Sequence, residues 1–293
     1  MKKLLLWALI TLNFSFFCFA QDDVLWKKVV YAHHIVKGTI HVNKEKIIAI
    51  QNSKSEYYTV MIDVQEVLKG SVPTGTIALR LFIYCSSEYA PAENWHKEEK
   101  ANVEYLMSLN NQTGIIFLYE ADSRYSKGFF FSDYLRNSFL PLNKTNEEAV
   151  KKEIEKENDI LNNEAFFQSF QKDTYYKKVK KTIEKMLGAL TARGAYRALE
   201  KMGQDAVPYI ICLMNDRREL PVKHIVLKNH LDFWEATRQY SPELVVDVLA
   251  AILNQVTGES FGFIYNGDDT SEHQRQCTVN GWKIYLWHIT HKP

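Results

Sequence analysis

The chain has 293 residues, 46% of them hydrophobic and 13% aromatic, with 36 Lys and Arg against 35 Asp and Glu. That composition excludes an intrinsically disordered protein, which is poor in aromatics and far from neutrality, and it suffices for a sizeable core in two domains. A net charge of +1 excludes a protein that grips nucleic acid through a basic surface.

Residues 1–20 read as a cleavable signal peptide. Lys2 and Lys3 precede the apolar run Leu4-Leu5-Leu6-Trp7-Ala8-Leu9-Ile10, which continues to Phe19 and ends at Ala20, ahead of Gln21-Asp22-Asp23. A charged start, a short apolar stretch and a small residue at the exit are the marks of export. Asn13 and Ser15 interrupt the stretch, and it sits at the short limit for a spanning helix. The mature chain is therefore expected to begin at Gln21, without a membrane span, in the periplasm or outside the cell. Lys2 and Lys3 are the only charges in the leader, so removing them takes the net charge from +1 to −1.

Export permits disulfides, and Cys85, Cys212 and Cys277 remain. They can form one bridge in three ways, with one thiol left over. Cys212 lies within Ile210-Ile211-Cys212-Leu213-Met214, the setting of a small buried hydrophobe. A bridge between Cys85 and Cys277 would staple the two halves of the chain.

The first half is written in strands. From Tyr57 to Gly70, Tyr58, Val60, Ile62 and Val64 alternate with Thr59, Asp63 and Gln65, the period of a half-buried strand. The turn Gly70-Ser71-Val72-Pro73-Thr74-Gly75 leads into Ile77, Leu79, Leu81 and Ile83, which alternate with Thr76, Ala78, Arg80 and Tyr84 as an antiparallel partner. Shorter strands are expected at Ile40 to Val42, Ile47 to Ile50, Ile115 to Tyr119 and Phe129 to Phe131, giving a small, mostly antiparallel barrel or sandwich. Val36-x-Gly38-Thr39-Ile40, Glu66-Val67-Leu68-Lys69-Gly70, Cys85 and Gly114-Ile115-Ile116-Phe117-Leu118-Tyr119 together resemble the bacterial netrin/TIMP-like module, over about a hundred residues. That resemblance implies an OB-type barrel. Family inhibitors chelate a protease zinc through an N-terminal cysteine, whereas Gln21 begins this mature chain, so the resemblance carries the fold and not the inhibitory chemistry.

The second half is written in helices. Residues 144–160 pair Glu147 with Lys151 and Glu148 with Lys152 at helical spacing and present Thr145-x-x-Glu148 as a capping box, with Val150, Ile154 and Leu161 as a thin apolar stripe. This reads as an exposed connecting helix. The lysines from Lys172 to Lys185 read as a solvated helix face. Gly203 ends a helix over Ala195 to Met202, and Pro208 opens the next, where its missing N–H costs little. Leu199, Met202, Gly203, Ala206, Val207, Pro208 and Ile210 resemble the phrase of a HEAT repeat. Single repeats cannot bury their own faces, so the resemblance implies neighbours, expected at Val222 to Leu231 and Pro242 to Leu253. The segment Val256-Thr257-Gly258-Glu259-Ser260-Phe261-Gly262 resembles the turn before the closing helix of certain bacterial HEAT-repeat proteins. Trp282, Tyr285 and Leu286 would then cap the stack.

Few residues offer chemistry. His33, His34, His41, His224, His230, His288 and His291 are the candidates for metal or acid–base roles, but none stands in HExxH spacing and no cysteine pair has zinc-finger spacing. His288-x-x-His291 lies beside the C-terminus and reads as tail. Ser86, Ser87 and Glu88 follow Cys85 without a G-x-S-x-G elbow and read as turn residues. Asn266-Gly267-Asp268-Asp269 resembles half a calcium loop but lacks the alternating ligands and the closing glutamate; Asp269 with Glu272 is expected to cap the last helix. No cofactor or metal is expected.

The expected architecture is α+β: signal peptide 1–20, an OB-like antiparallel β-barrel over 21–140, a charged helical connector over 141–187 and HEAT-like hairpins over 188–293. The expected function is that of an exported, non-catalytic protein-binding protein, inhibitor- or immunity-like, whose partner is a protein. The rivals are a secreted hydrolase with a dispersed active site and a structural component of the cell envelope.

Overall fold

The computed structural model describes residues 25–44, 48–50, 53–85, 101–122, 127–131, 138–228, 237–262 and 266–291. Residues 1–20, expected as a signal peptide, lie outside them, as do Ser86 to Glu88 and His230. Two compact units emerge, one of Met1–Ala121 with Lys127–Glu155, the other of Asp122–Ser126 with Lys156–Pro293. The protein is α+β, a closed five-stranded barrel followed by helices.

The barrel unit opens with a short helix, α1 (25–31), followed by β1 (His34–Lys44), β2 (Ile48–Ile50), β3 (Ser53–Lys69) and β4 (Gly75–Cys85). Helix α2 (101–108), β5 (Thr113–Asp122), β6 (Lys127–Phe131) and β7 (Phe139–Pro141) complete it. The ring runs β1-β3-β4-β6-β5 and closes because β1 pairs with β3 on one edge and with β5 on the other. β4 and β6 meet in parallel at Leu79 and Phe129.

Alternation decides the faces as the sequence predicts: Val60 and Ile62 are buried while Asp63 and Gln65 are exposed, and Ile77 and Leu79 are buried between exposed Thr76 and Ala78. Closing a small barrel requires sharp bending. β1 supplies it through register shifts at Ile35/Val36 and Lys37/Gly38. Gly38 pairs with Gly114 across the β1–β5 ladder. A Cβ on Gly38 would meet Asp63 O at 2.7 Å, and one on Gly114 would meet the Phe139 ring at 2.2 Å. Glycine is needed at both because the strands and Phe139 cross too closely for any side chain.

β1 and β5 are buried on both faces. Val36, Ile40, Ile116 and Leu118 fill the interior with Val60, Ile62 and Leu79. Ile35, Ile115 and Phe117 form a second cluster with Val29 of α1 and Val150 of α3 (Lys144–Leu161). This two-sided burial explains why Ile115-Ile116-Phe117-Leu118 is continuously apolar. Trp26 and Val29, three apart and buried, are the sequence trace of α1.

The start of α3 corrects the sequence expectation. Asn143 is the cap, its Oδ1 accepting the Asn146 N–H at 2.8 Å, so Thr145 already lies inside the first turn. Glu148 pairs with Lys144 at 3.8 Å. Glu147 and Lys151 form the expected pair at 2.7 Å, and both belong to a larger arrangement in which Lys37 Nζ stands 3.1 Å from Glu66 and from Glu147, and Lys151 stands 3.4 Å from Glu66. Alternating charges thus tie the first turns of α3 to β1 and β3. The boundary between the units falls inside this helix, after Glu155.

The helical unit contains α4 (Glu164–Ser169), α5 (Thr174–Glu184), α6 (Ala192–Met202), α7 (Val207–Cys212), β8 (Ile225–Lys228), β9 (Thr237–Tyr240), α8 (Val245–Thr257) and α9 (Glu272–Thr290). Gly203 ends α6 with φ 61°, and Pro208 sits in the first turn of α7. The stretch expected as another helical hairpin, 222–231, instead holds β8, antiparallel to β9. Buried Ile225 and Leu227 alternate with exposed Val226 and Lys228, a period of two that cannot serve a helix face. Every residue of α8 from Val245 to Gln255 is buried. Trp282 is fully buried against the Phe261 ring, 5.0 Å away. Among the described residues no helix is long and apolar enough to cross a membrane.

One buried charge organises this unit. Asp247 has no exposure, and its carboxylate accepts the Glu243 and Leu244 N–H groups at 3.0 Å and the Arg275 guanidinium at 2.8 and 3.0 Å. Arg275 also donates to Gly267 O at 2.6 Å and Thr270 O at 2.8 Å. Asn266 to Asp269 therefore serves as a turn around this pair. The last helix is capped by Ser271 with Gln274, not by Asp269 and Glu272, because Glu272 pairs with Arg217.

Arg275→Met is expected to lose about 3–5 kcal/mol, since it strands a buried carboxylate, whereas Asp247→Leu with Arg275→Met loses less than the two single losses added. Urea unfolding of the three variants measures this. The charge arrangement on α3 sets a second expectation. Lys151 and Lys37 hold the Glu147 carboxyl below the ordinary 4.5, Lys37 does the same for Glu66, and Glu147 and then Glu66 raise Lys37 above 10.5. Lowered acids stabilise above 4.5 and lose that contribution as pH falls through their lowered values, and raised lysines lose theirs only above 10.5. Urea midpoints measured between neutral pH and about pH 3 should fall less steeply in Glu66→Gln/Glu147→Gln than in the parent, and high salt should narrow the difference.

Candidate functional site

Two regions gather the residue types that could do chemistry, one in each unit. In the barrel, β1 begins with His34, 3% exposed. Its Nδ1 accepts the Ser71 N–H at 3.0 Å, so its proton resides on Nε2, which donates to Glu120 at 2.9 Å. Both ring nitrogens are thereby engaged. The turn that delivers Ser71 passes directly over the ring. Gly70 has φ +76°, and a Cβ there would meet His34 Nδ1 at 2.4 Å, which explains the glycine of the Val67-Leu68-Lys69-Gly70 phrase. His33 accepts the Glu120 N–H at 3.3 Å and lies 4.2 Å from the Tyr119 ring. These histidines tie the start of β1 to the β3–β4 turn and to the end of β5.

His41 is set differently. Its ring lies 2.9 Å from Asn111 Oδ1 and 3.0 Å from Asp63 Oδ2 on the exposed face of the barrel. Thr76 donates to Asp63 at 2.6 Å and, with His41, keeps that carboxyl below its ordinary range. The group is a surface hydrogen-bond chain.

In the helical unit, a pocket of about 280 Å³ opens between α6 and β8, lined by Arg193, Tyr196, Arg197, His224, Ile225 and Val226. Helical geometry makes Arg193, Arg197 and Lys201 a single row. All three are exposed, and like charges four apart destabilise a helix by about 0.2–0.5 kcal/mol per pair. Glu200, the one acid of α6, accepts the Lys228 N–H at 2.7 Å. Tyr196 packs behind them, donating its hydroxyl to Val222 O at 3.0 Å, and burial pushes its phenol up to about 12. The wall is therefore the Tyr196 ring, two guanidiniums, the His224 imidazole and apolar strand residues, with Val226 47% exposed.

The remaining candidates are dispersed. His291 stacks on Trp287 at 3.8 Å, and its Nδ1 lies 2.9 Å from Trp287 O. His288 lies on α9, three residues earlier. Cys212 is raised to about 12 by burial and donates to Phe167 O at 3.6 Å, an inert thiol in an apolar setting. Cys277 Sγ lies 3.7 Å from His273 Nε2. Cys85 closes β4, but its side chain is outside the described residues, and so is the pairing with Cys277. The lysines of α5 are exposed, with Lys178 over the Tyr175 ring at 5.0 Å.

Of the histidines expected to carry chemistry, His224 alone lines this pocket. Sequence motifs do not single out Arg193, Tyr196 and Arg197, although the spacing of Arg193, Arg197 and Lys201, four apart, is a usable signal. Compared with protein-family models, curated proteins and solved structures, the chain matches none of them.

Because Arg193 and Arg197 repel one another, Arg193→Gln/Arg197→Gln is expected to leave the thermal midpoint unchanged or raise it slightly, by about a few tenths of a kcal/mol in stability. A clear loss in calorimetry would show that the guanidiniums hold the fold.

Proposed function

We propose that this chain is an exported, non-catalytic protein-binding protein. In this reading the barrel is an OB-type domain of the netrin/TIMP-like kind. The helices form a short, degenerate HEAT-like array, and the leader directs the chain to the periplasm or beyond. An inhibitor- or immunity-like role toward a secreted enzyme is its specific version. The observation that carries it is the α6–β8 pocket, where two guanidiniums with no acidic partner among the described residues stand over a partly apolar wall. Such a surface suits an anion. Against the hydrolase reading, both ring nitrogens of His34 are already hydrogen-bonded, which leaves His224 as the histidine of this pocket.

Two measurements test the proposal. Mass spectrometry of the exported protein should find a chain beginning at Gln21. A photoreactive residue in place of Val226, activated in the native envelope, should yield one recurrent protein adduct. An absence of adducts, together with turnover of ester, peptide, glycoside or phosphate substrates by the purified protein, would overturn the reading.

A further inference from the structure

We infer that the α6–β8 pocket receives a carboxylate side chain from an acidic, partly apolar segment of the partner protein, clamped between Arg193 and Arg197. The inference rests on the binding function proposed above and names the chemistry of its partner.

Four features point to that occupant. Arginine guanidiniums match the planar carboxylate with paired, charge-assisted hydrogen bonds, and neither Arg193 nor Arg197 spends its donors inside the described protein. Glu200, the acid on their own helix, is held by the Lys228 backbone. The volume of about 280 Å³ falls at the lower edge of small-molecule sites, roughly 300–1,000 Å³, and suits one or two side chains. The wall also asks for more than an ion. Ile225 and Val226 line the pocket, and Val226 is half-exposed; a hydrated inorganic anion leaves that surface wet, whereas an apolar neighbour of an Asp or Glu covers it.

The strand edge supplies the fourth feature. The Lys228 N–H points away from β9 to reach Glu200. Outward groups recur every second residue on an antiparallel strand, so the Val226 N–H lies on the same edge, beside the pocket. An extended segment can thus add main-chain hydrogen bonds along β8 while its carboxylate enters between the arginines. Lys201 extends the cationic row beyond the pocket and draws an acidic segment rather than a single charge.

The mature protein, labelled for fluorescence, would be titrated with the capped peptide acetyl-Gly-Leu-Asp-Glu-Leu-Gly-amide, with its Asn-Gln counterpart and with inorganic phosphate. The acidic peptide should bind, and the amide version, Arg193→Gln and Arg197→Gln should each weaken binding about tenfold or more. Circular dichroism should remain unchanged, and affinity should fall with rising salt. Equal binding of the two peptides, or unaltered binding by both variants, would overturn the inference. Displacement of the peptide by equimolar phosphate would overturn it in favour of a phosphate site. A partner crosslinked through Val226 equally well in the parent and in Arg193→Gln/Arg197→Gln would leave the binding function standing and overturn the arginine clamp. Peptide binding without any crosslinked partner would do the reverse.

Discussion

Asp247 carries a charge at a point with no access to water, and the arrangement of the helical unit follows from how that charge is neutralised. A buried carboxylate is tolerated only when it is paired and every lone pair is occupied. Here two backbone N–H groups at the start of α8 and a two-pronged Arg275 do both. The guanidinium then uses its remaining donors on Gly267 and Thr270, so one interaction fixes the start of the buried helix, the turn before α9 and α9 itself. Gly267 has no room for a Cβ, which would lie 2.3 Å from Asp247 Oδ2. With α8 held in this way, α6 packs on a fixed floor and presents Arg193 and Arg197 outward.

The barrel is governed by a different constraint, the need of β1 to satisfy hydrogen bonds on both edges. Bending at Lys37/Gly38 and the facing pair Gly38 and Gly114 make closure sterically feasible. His34 adds a fastener at the rim, joining the β3–β4 turn to β5 through both of its ring nitrogens. The hydrogen bonds of His34 show structural use, whereas arginines in plain view on a helix form the more open chemical surface.

Much of this fold is legible in the residues themselves. The alternation around Val60 and Ile62 places the longest strand and its faces, Gly203 and Pro208 mark the break between α6 and α7, and the apolar spacing around Trp282 places the last helix. Sequence patterns mislead where two local signals compete. Asn143 and Thr145 are both competent caps, as are Ser271 and Asp269, and spacing alone does not decide between neighbours. Packing of Val150 against Ile35 and Phe117 sets where α3 lies, and with it which side chain meets the free N–H groups. At 222–231 the apolar content suggests a helix because the preceding phrase implies a neighbouring repeat; the alternation of Ile225 and Leu227 with Val226 and Lys228 is the better guide.

Near-neutral composition and short-range pattern are properties of the sequence by itself: they decided the α+β class and the order of the β-rich and helical halves. Which charges are satisfied was decided by tertiary structure alone. Arg275 meets a carboxylate 28 residues away in the chain, whereas Arg193 and Arg197 meet none among the described residues, although all three lie on helices and look alike in the sequence. Pairing depends on distances of a few ångströms between elements remote in the chain, and those distances exist only once α8 is buried and β8 lies along α6.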